Sequence, residues 1–278
     1  MKKTFILAVV LFLVKVATAQ DTKSYSDKEF SLIIGPSLTN VKNDNLESDK
    51  YASSKGSVWF NLGIGFCKYF NKNFGFITGI EYSRYSNVTS YRGAYRSDNK
   101  SVDKDGYLYY AVSEADYKET RNIHTAEVPL GLRLQVPLND KAQFFIDFGI
   151  RMNFIGSAKV IRNGTLNKKG AYPNNTFDNV FLYIEDDAYL GFTNSSYYST
   201  IDIPVNRINI GYFIGGGVKA RLSENKFLLV YPTYINGITD LVKKDSASEY
   251  VNIFGEKTPY KKYTLNQIAL RIGIVFEI

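Results

Sequence analysis

Apolar and polar residues alternate with a period of two along most of the chain, and helical periodicity is nearly absent. Over 57–70, Val58, Phe60, Leu62, Ile64 and Phe66 share one face, against Asn61, Gly63, Gly65 and Cys67. Phe74, Phe76, Ile80 and Tyr82 then alternate with Gly75, Gly79, Glu81 and Ser83. Segment 124–136 sets Val128, Leu130, Leu132 and Leu134 against Glu127, Gly131, Arg133 and Gln135. Segments 142–156 and 207–221 repeat the pattern, with Asp147, Gly149, Arg151, Asn209, Gly211 and Lys219 among their polar positions. The last segment sets Ile268, Leu270, Ile272 and Ile274 against Gln267, Arg271 and Gly273. A looser strand near 29–41 and an irregular one near 226–240, interrupted by Pro232, bring the expected number to eight.

The connections alternate too. Tight polar turns are expected at 70–73, 138–141 and 223–226, as in hairpins. The other four connections, 42–56, 86–121, 160–206 and 241–262, are far longer than loops in compact soluble domains. Short turns at one end and long loops at the other are the pattern of a transmembrane barrel. The expected fold is therefore an all-β, eight-stranded antiparallel transmembrane β-barrel with short periplasmic turns, long extracellular loops and both termini periplasmic. A soluble lipocalin-like barrel would need an outer face rich in Lys, Glu and Thr, whereas the polar face here is Gly, Asn, Gln and a few charges. The apolar face would be an insoluble surface in water. A two-sheet sandwich fits the regular placing of the long loops less well.

The first residues read as an export signal: Lys2 and Lys3, the apolar stretch Phe5 to Val14, and Ala17-Thr18-Ala19 as a cleavage site. Lys15 cuts the apolar run short of the roughly 20 residues a spanning helix needs. The organisation read from sequence is a signal peptide at 1–19, a short periplasmic segment at 20–28 and the barrel at 29–278, in the outer membrane of a Gram-negative bacterium.

Composition sharpens this picture. Of 278 residues, 22 are Tyr and 19 Phe, with one His and one Cys. A disordered tail and an internal disulfide scaffold are excluded. The formal charge of +7 falls when Lys2, Lys3 and Lys15 leave, to 31 basic against 27 acidic residues, or +4. That charge is too mild and too scattered for a nucleic-acid partner. The expected surroundings are outer-membrane lipid, lipopolysaccharide and other envelope proteins.

The run Glu127-Val128-Pro129-Leu130-Gly131-Leu132-Arg133 resembles a strand of the PorT-like outer-membrane β-barrel family of Bacteroidetes-type bacteria. Gly237-Ile238-Thr239-Asp240-Leu241 and the closing Arg271–Ile278 strand are similar to segments of the same family. The resemblance covers about residues 28–278 and implies an integral outer-membrane protein.

By parity, Glu81, Glu127, Arg133, Asp147, Arg151, Lys219, Arg271 and Glu277 face the lumen. Buried charges persist when paired, so a salt-bridged plug is expected, with a narrow charged pore as the alternative. Across the turn at 138–141, Arg133 is expected near Asp147, and Glu127 nearer Asn153 than Arg151. The Tyr-rich loops offer a candidate binding surface at Tyr107, Tyr109, Tyr110, Tyr183, Tyr189, Tyr197 and Tyr198. A lipid-modifying enzyme would require His124, with Ser90, Ser113 or Asp116 approaching it. That constellation is incomplete, so no catalytic residue is assigned. Asp103-Lys104-Asp105-Gly106 fails the calcium-loop pattern and Glu185-Asp186-Asp187 reads as a solvated tip, so neither a metal nor a cofactor is assigned. Cys67 reads as an inert inward residue and Trp59 as rim packing.

Overall fold

The computed structural model describes residues 27–43, 52–173, 181–185, 187–190, 192, 194–243, 249–251, 257–259 and 261–278. The expected signal peptide lies outside them, as does the expected periplasmic segment up to residue 26. Eight strands close a ring: β1 (Lys28–Asn43), β2 (Ala52–Asn71), β3 (Phe74–Val102), β4 (Leu108–Asn139), β5 (Ala142–Pro173), β6 (Ile208–Ser223), β7 (Lys226–Gly237) and β8 (Tyr263–Glu277). Each pairs antiparallel with its sequence neighbour, and β8 pairs with β1, so the barrel has no open edge within the ring. A closed ring satisfies every ladder hydrogen bond internally, as lipid demands.

Alternation decides which face turns outward. Leu32, Ile34 and Leu38 of β1, Phe60, Leu62 and Ile64 of β2, and Ile268, Leu270, Ile272 and Ile274 of β8 are all exposed. They belong to an apolar band around the outside, bounded towards the loops by Tyr82, Tyr212 and Tyr234. Such a band is stable only against hydrocarbon, and Tyr favours its edge. Among the described residues, no helix is long and apolar enough to cross a membrane. The inner face is narrowed by glycines: a Cβ on Gly131 would stand 2.5 Å from the Phe148 carbonyl oxygen and 2.7 Å from the Phe213 ring.

Two expectations about the connections are corrected. The segments 86–121 and 160–206 are not loops throughout. β3, β4 and β5 run on as 29-, 32- and 32-residue strands, and only 103–107 separates β3 from β4. The strand Asn194–Asp202 pairs with β5 from Lys159 to Asn167, and Phe181–Ile184 pairs with it from Gly170 to Pro173. Above the membrane both faces of a sheet meet water or other loops. The apolar alternation therefore fades while the backbone ladder continues. The irregular β7 has a different cause. Its inner face carries Phe227, Leu229, Tyr231 and Ile235, all buried, so both of its faces are apolar. Pro232 points outward, where the β6–β7 register skips Gly216 and Gly217.

Candidate functional site

The lumen is built in layers. Nearest the turns, Arg133 donates from Nε and Nη2 to both carboxylate oxygens of Asp147, at 2.7 and 2.8 Å. Register places these two opposite each other, and the fork-to-fork geometry is the strongest form of such a pair. Glu29 joins them, accepting from Arg133 at 3.4 Å, from Lys219, and from the Tyr69 hydroxyl at 3.0 Å. Tyr69 also lies 2.7 Å from the side-chain oxygen of Gln135. One layer up, Glu81 pairs with Arg151 at 2.9 Å and with Arg271 at 2.6 Å. Arg151 also pairs with Glu127, which accepts in addition from the Thr125 hydroxyl at 3.0 Å. The two layers hold four carboxylates and four cations, all buried. Glu277, at the end of β8, is only partly buried.

The placing of Glu127 is a correction. Its register partner is Asn153, yet its charge partner is Arg151. Diagonal neighbours on one face of a sheet stand roughly 7–8 Å apart, within reach of an arginine. Glu29 escapes a reading that looks for clean alternation, because β1 alternates loosely. A second omission is aromatic: the polar face also holds Phe145, Phe213, Phe227 and Tyr231. Arg133 lies 4.4 Å over the Phe145 ring and Lys219 4.8 Å over that of Phe227, with Arg151 and Arg271 each 5.8 Å from Phe213 and Tyr231. Each lumen cation thus has a carboxylate and a ring, a desolvated cation–π arrangement. A cavity between the layers measures about 40 Å³, room for a few waters.

Towards the outside, amides and hydroxyls follow: Asn61 donates to Ser83 at 2.9 Å and to Gln267 at 3.1 Å. Above them sits a buried apolar cluster of Val41, Tyr85, Ile123, Ile155, Ala158 and Leu265, completed by Val205 and Leu241 from the connecting segments. Val205 bridges Val242, and the Asn206 amide donates to the Leu241 carbonyl at 2.8 Å. Two connections thus cross the mouth and cap it with hydrocarbon.

The outer end of the β3–β4 hairpin is held by phenols. Asp103 accepts backbone N–H groups from Asp105 and Tyr107, at 3.0 and 2.8 Å, and the Tyr172 hydroxyl at 2.8 Å. Desolvation works against ionisation there, but these donors hold its carboxyl below the usual aspartate range. Tyr109 packs on Tyr172 and on the buried Phe192. Tyr189 donates to Asp105 at 3.1 Å. Lys169 bridges Glu185 and Glu114, and these bonds raise its ammonium above the ordinary value. So Asp103 and Glu185 serve the packing of the tip, Asp187 accepts the Leu190 amide at 3.1 Å, and Asp186 lies outside the described residues. No group of three or more His, Cys, Asp or Glu with metal-site geometry occurs among the described residues.

Of the expected binding tyrosines, Tyr107, Tyr183, Tyr189 and Tyr198 are exposed, Tyr198 by 73%. Tyr109 and Tyr110 are partly buried, Tyr110 against Phe181 with Arg96 5.3 Å from its ring. The side chain of Tyr197 lies outside the described residues. His124 faces outward at the rim, with its Nδ1 2.6 Å from the Tyr82 hydroxyl. Ser90, Ser113 and Asp116 pair in register with Lys118, Tyr95 and Arg92, all farther out along the hairpin, so none approaches it.

Among curated proteins, none matches the chain. Solved structures similar to it include Ail, the attachment invasion locus protein of Yersinia pestis, in complex with the heparin analogue sucrose octasulfate (14% identity, 90% of this chain and 99% of that one, TM-score 0.33). Neisserial surface protein A (10%, 92% and 100%, TM-score 0.36) and OprG from Pseudomonas aeruginosa (11%, 92% and 98%, TM-score 0.32) are further ones. The family described as outer membrane protein beta-barrel domain matches residues 18–243. With a closed ring and an apolar girdle behind that match, the chain is an integral protein of the Gram-negative outer membrane and belongs to the outer membrane protein beta-barrel domain family.

Proposed function

We propose that this protein is a closed, non-enzymatic barrel whose role is to hold a tyrosine-rich extracellular sheet rigidly above the membrane as a binding surface for envelope or external partners. The observation that carries the reading is the filled lumen: among the described residues, two neutralised ionic layers lie beneath an apolar cap, with a cavity of about 40 Å³ between the layers. A conducting pore needs a continuous wet path, and hydrocarbon across the mouth opposes one. The phenol-clasped hairpin supports the second half of the reading, because rigid aromatic surfaces bind at low entropic cost. The resemblance of the Glu127–Arg133 and 237–241 runs to PorT-like barrels supports this reading, in which cleavage after Ala19 yields the mature form.

Planar-bilayer recording of the mature protein refolded in detergent, beside Asp147→Asn and Arg151→Gln, tests it. Silent bilayers from protein whose gel mobility shifts on heating are the expected result. Steady currents altered by either substitution would make the protein a narrow channel instead.

A further inference from the structure

Three adjacent strands, β3, β4 and β5, and Arg207 just before β6 carry polar, outward-facing side chains at one level, just above the last lipid-facing pair on β5 and β6, Phe154 and Ile208, which are partners in register. On β3, Arg84 lies 4.3 Å over the ring of Trp59 from β2, and its Nη2 donates to Asn122 at 2.7 Å. Its Nε is buried with no hydrogen-bond partner among the described residues. His124 of β4 is the register partner of Arg84, and Ser157 of β5 is the register partner of His124.

The ladder slips one residue here, so Gly156 is the extra residue of a β-bulge. Arg207, just before β6, takes up the freed carbonyl: its Nη1 donates to Gly156 at 3.2 Å and to Ile155 at 3.3 Å. Beside it an open cleft of about 280 Å³ is lined by Ser157, Asp202, Arg207 and Lys243. Asp202 is the one carboxylate there, and it stands across from Lys159 in register.

We infer that this belt is a binding site for the phosphorylated headgroup of lipid A, the lipid of the outer leaflet. Arg84 and Arg207 stand three strand spacings apart, roughly 14 Å, with His124, held by the Tyr82 hydroxyl, and Ser157 between them. Each guanidinium is fixed by a ring or by carbonyls yet keeps N–H donors for a phosphate, a geometry that arginine supplies better than lysine. Phe154 and Ile208 below lie level with the start of the acyl chains. A cation at this height meets neither the hydrocarbon nor open water, and the anion available there is the lipid's own. The site is separate from the extracellular sheet and stands whether or not that sheet binds a partner.

Native mass spectrometry of the detergent-refolded full mature protein with bisphosphorylated lipid A tests the site. Trp59 is the only tryptophan of the chain, so its emission gives a parallel titration for wild type and Arg207→Gln. Wild type and Lys118→Gln, which removes an outward cation farther up β4, are expected to bind alike. Arg84→Gln/Arg207→Gln is expected to bind at least about tenfold more weakly, and Arg84→Lys/Arg207→Lys to regain part of the loss. Heat-modifiable mobility verifies that each variant is folded. Equal affinity in the double Gln variant, or for dephosphorylated lipid A with the same acyl chains, would overturn the proposal. So would displacement of the lipid by an equal concentration of inorganic phosphate, which would make this a free-anion site.

Discussion

Deleting the guanidinium of Arg151 leaves Glu127 fully buried, with Thr125 as its remaining hydrogen-bond partner in the layer. An orphaned buried charge of this kind costs about 3–5 kcal/mol. Arg151→Met should therefore lower unfolding stability by that order in urea titrations of lipid-reconstituted protein. Glu127→Gln/Arg151→Met should recover most of the loss, because the remaining groups are neutral, and Glu81 keeps Arg271. Additive losses in the double variant would show that the pair is not coupled. Asp103 behaves oppositely to an orphan. Its carboxyl is held below the usual aspartate range, so the ionised form contributes stability that is complete above the unfolded value of about 4 and is lost as pH falls through the lower, folded value. The near-UV signal of the tyrosine cluster should persist through mildly acidic pH and fall away only below that range, with Asp103→Asn flattening the profile. Parity in the sequence points each of the eight expected charges inward, since a period of two leaves no other choice. It does not name their partners, because diagonal reach depends on side-chain length, and Glu29 and the rings of Phe145 and Phe213 carry no signal of their own on the polar face.

Strands inside the bilayer are legible for a simple reason: one side touches lipid and the other does not. Past the rim that asymmetry ends. β3 from Asn87, β4 before Arg121 and β5 beyond Val160 remain paired, with one slip of β3 against β4 between Arg96 and Lys100, although their residues no longer sort by polarity. Turn chemistry was the remaining clue, and the Asp-Gly pair at 105–106 does mark the reversal. Gly164 marks the same ladder more subtly. At φ +150°, a Cβ there would stand 2.3 Å from the Tyr117 Cα, so only glycine lets β4 and β5 approach so closely. The extension depends on the barrel, but the barrel does not depend on the extension. Replacing the hairpin between the register partners Gly93 and Ala115 by a two-residue turn should leave folding and heat-modifiable mobility intact. The same variant should lose capture of any partner held by the tip. Failure of the trimmed chain to fold would show that the outer sheet takes part in closing the ring.

At the scale of the molecule, the strand count, the topology and the membrane placement follow from alternation and from the unequal connections. The cap over the mouth does not. Val205 and Leu241 come from segments without periodicity, and only the folded chain brings them onto Tyr85 and Ile123. The balanced charges below it remove any standing electrostatic attraction for ions of one sign, so the closed end and the neutral interior act together.

The unequal lengths of the strands have a consequence for whatever approaches the cell. β6, β7 and β8 end near the rim, whereas β4 begins at Leu108, well beyond His124. Residue rise puts that tip on the order of 50 Å of strand above the lipid headgroups. Among the described residues, the ring's own strands therefore rise as a one-sided mast rather than a crown. Along that mast an arriving particle or antibody meets exposed Tyr107 and its neighbours well before the rim at His124.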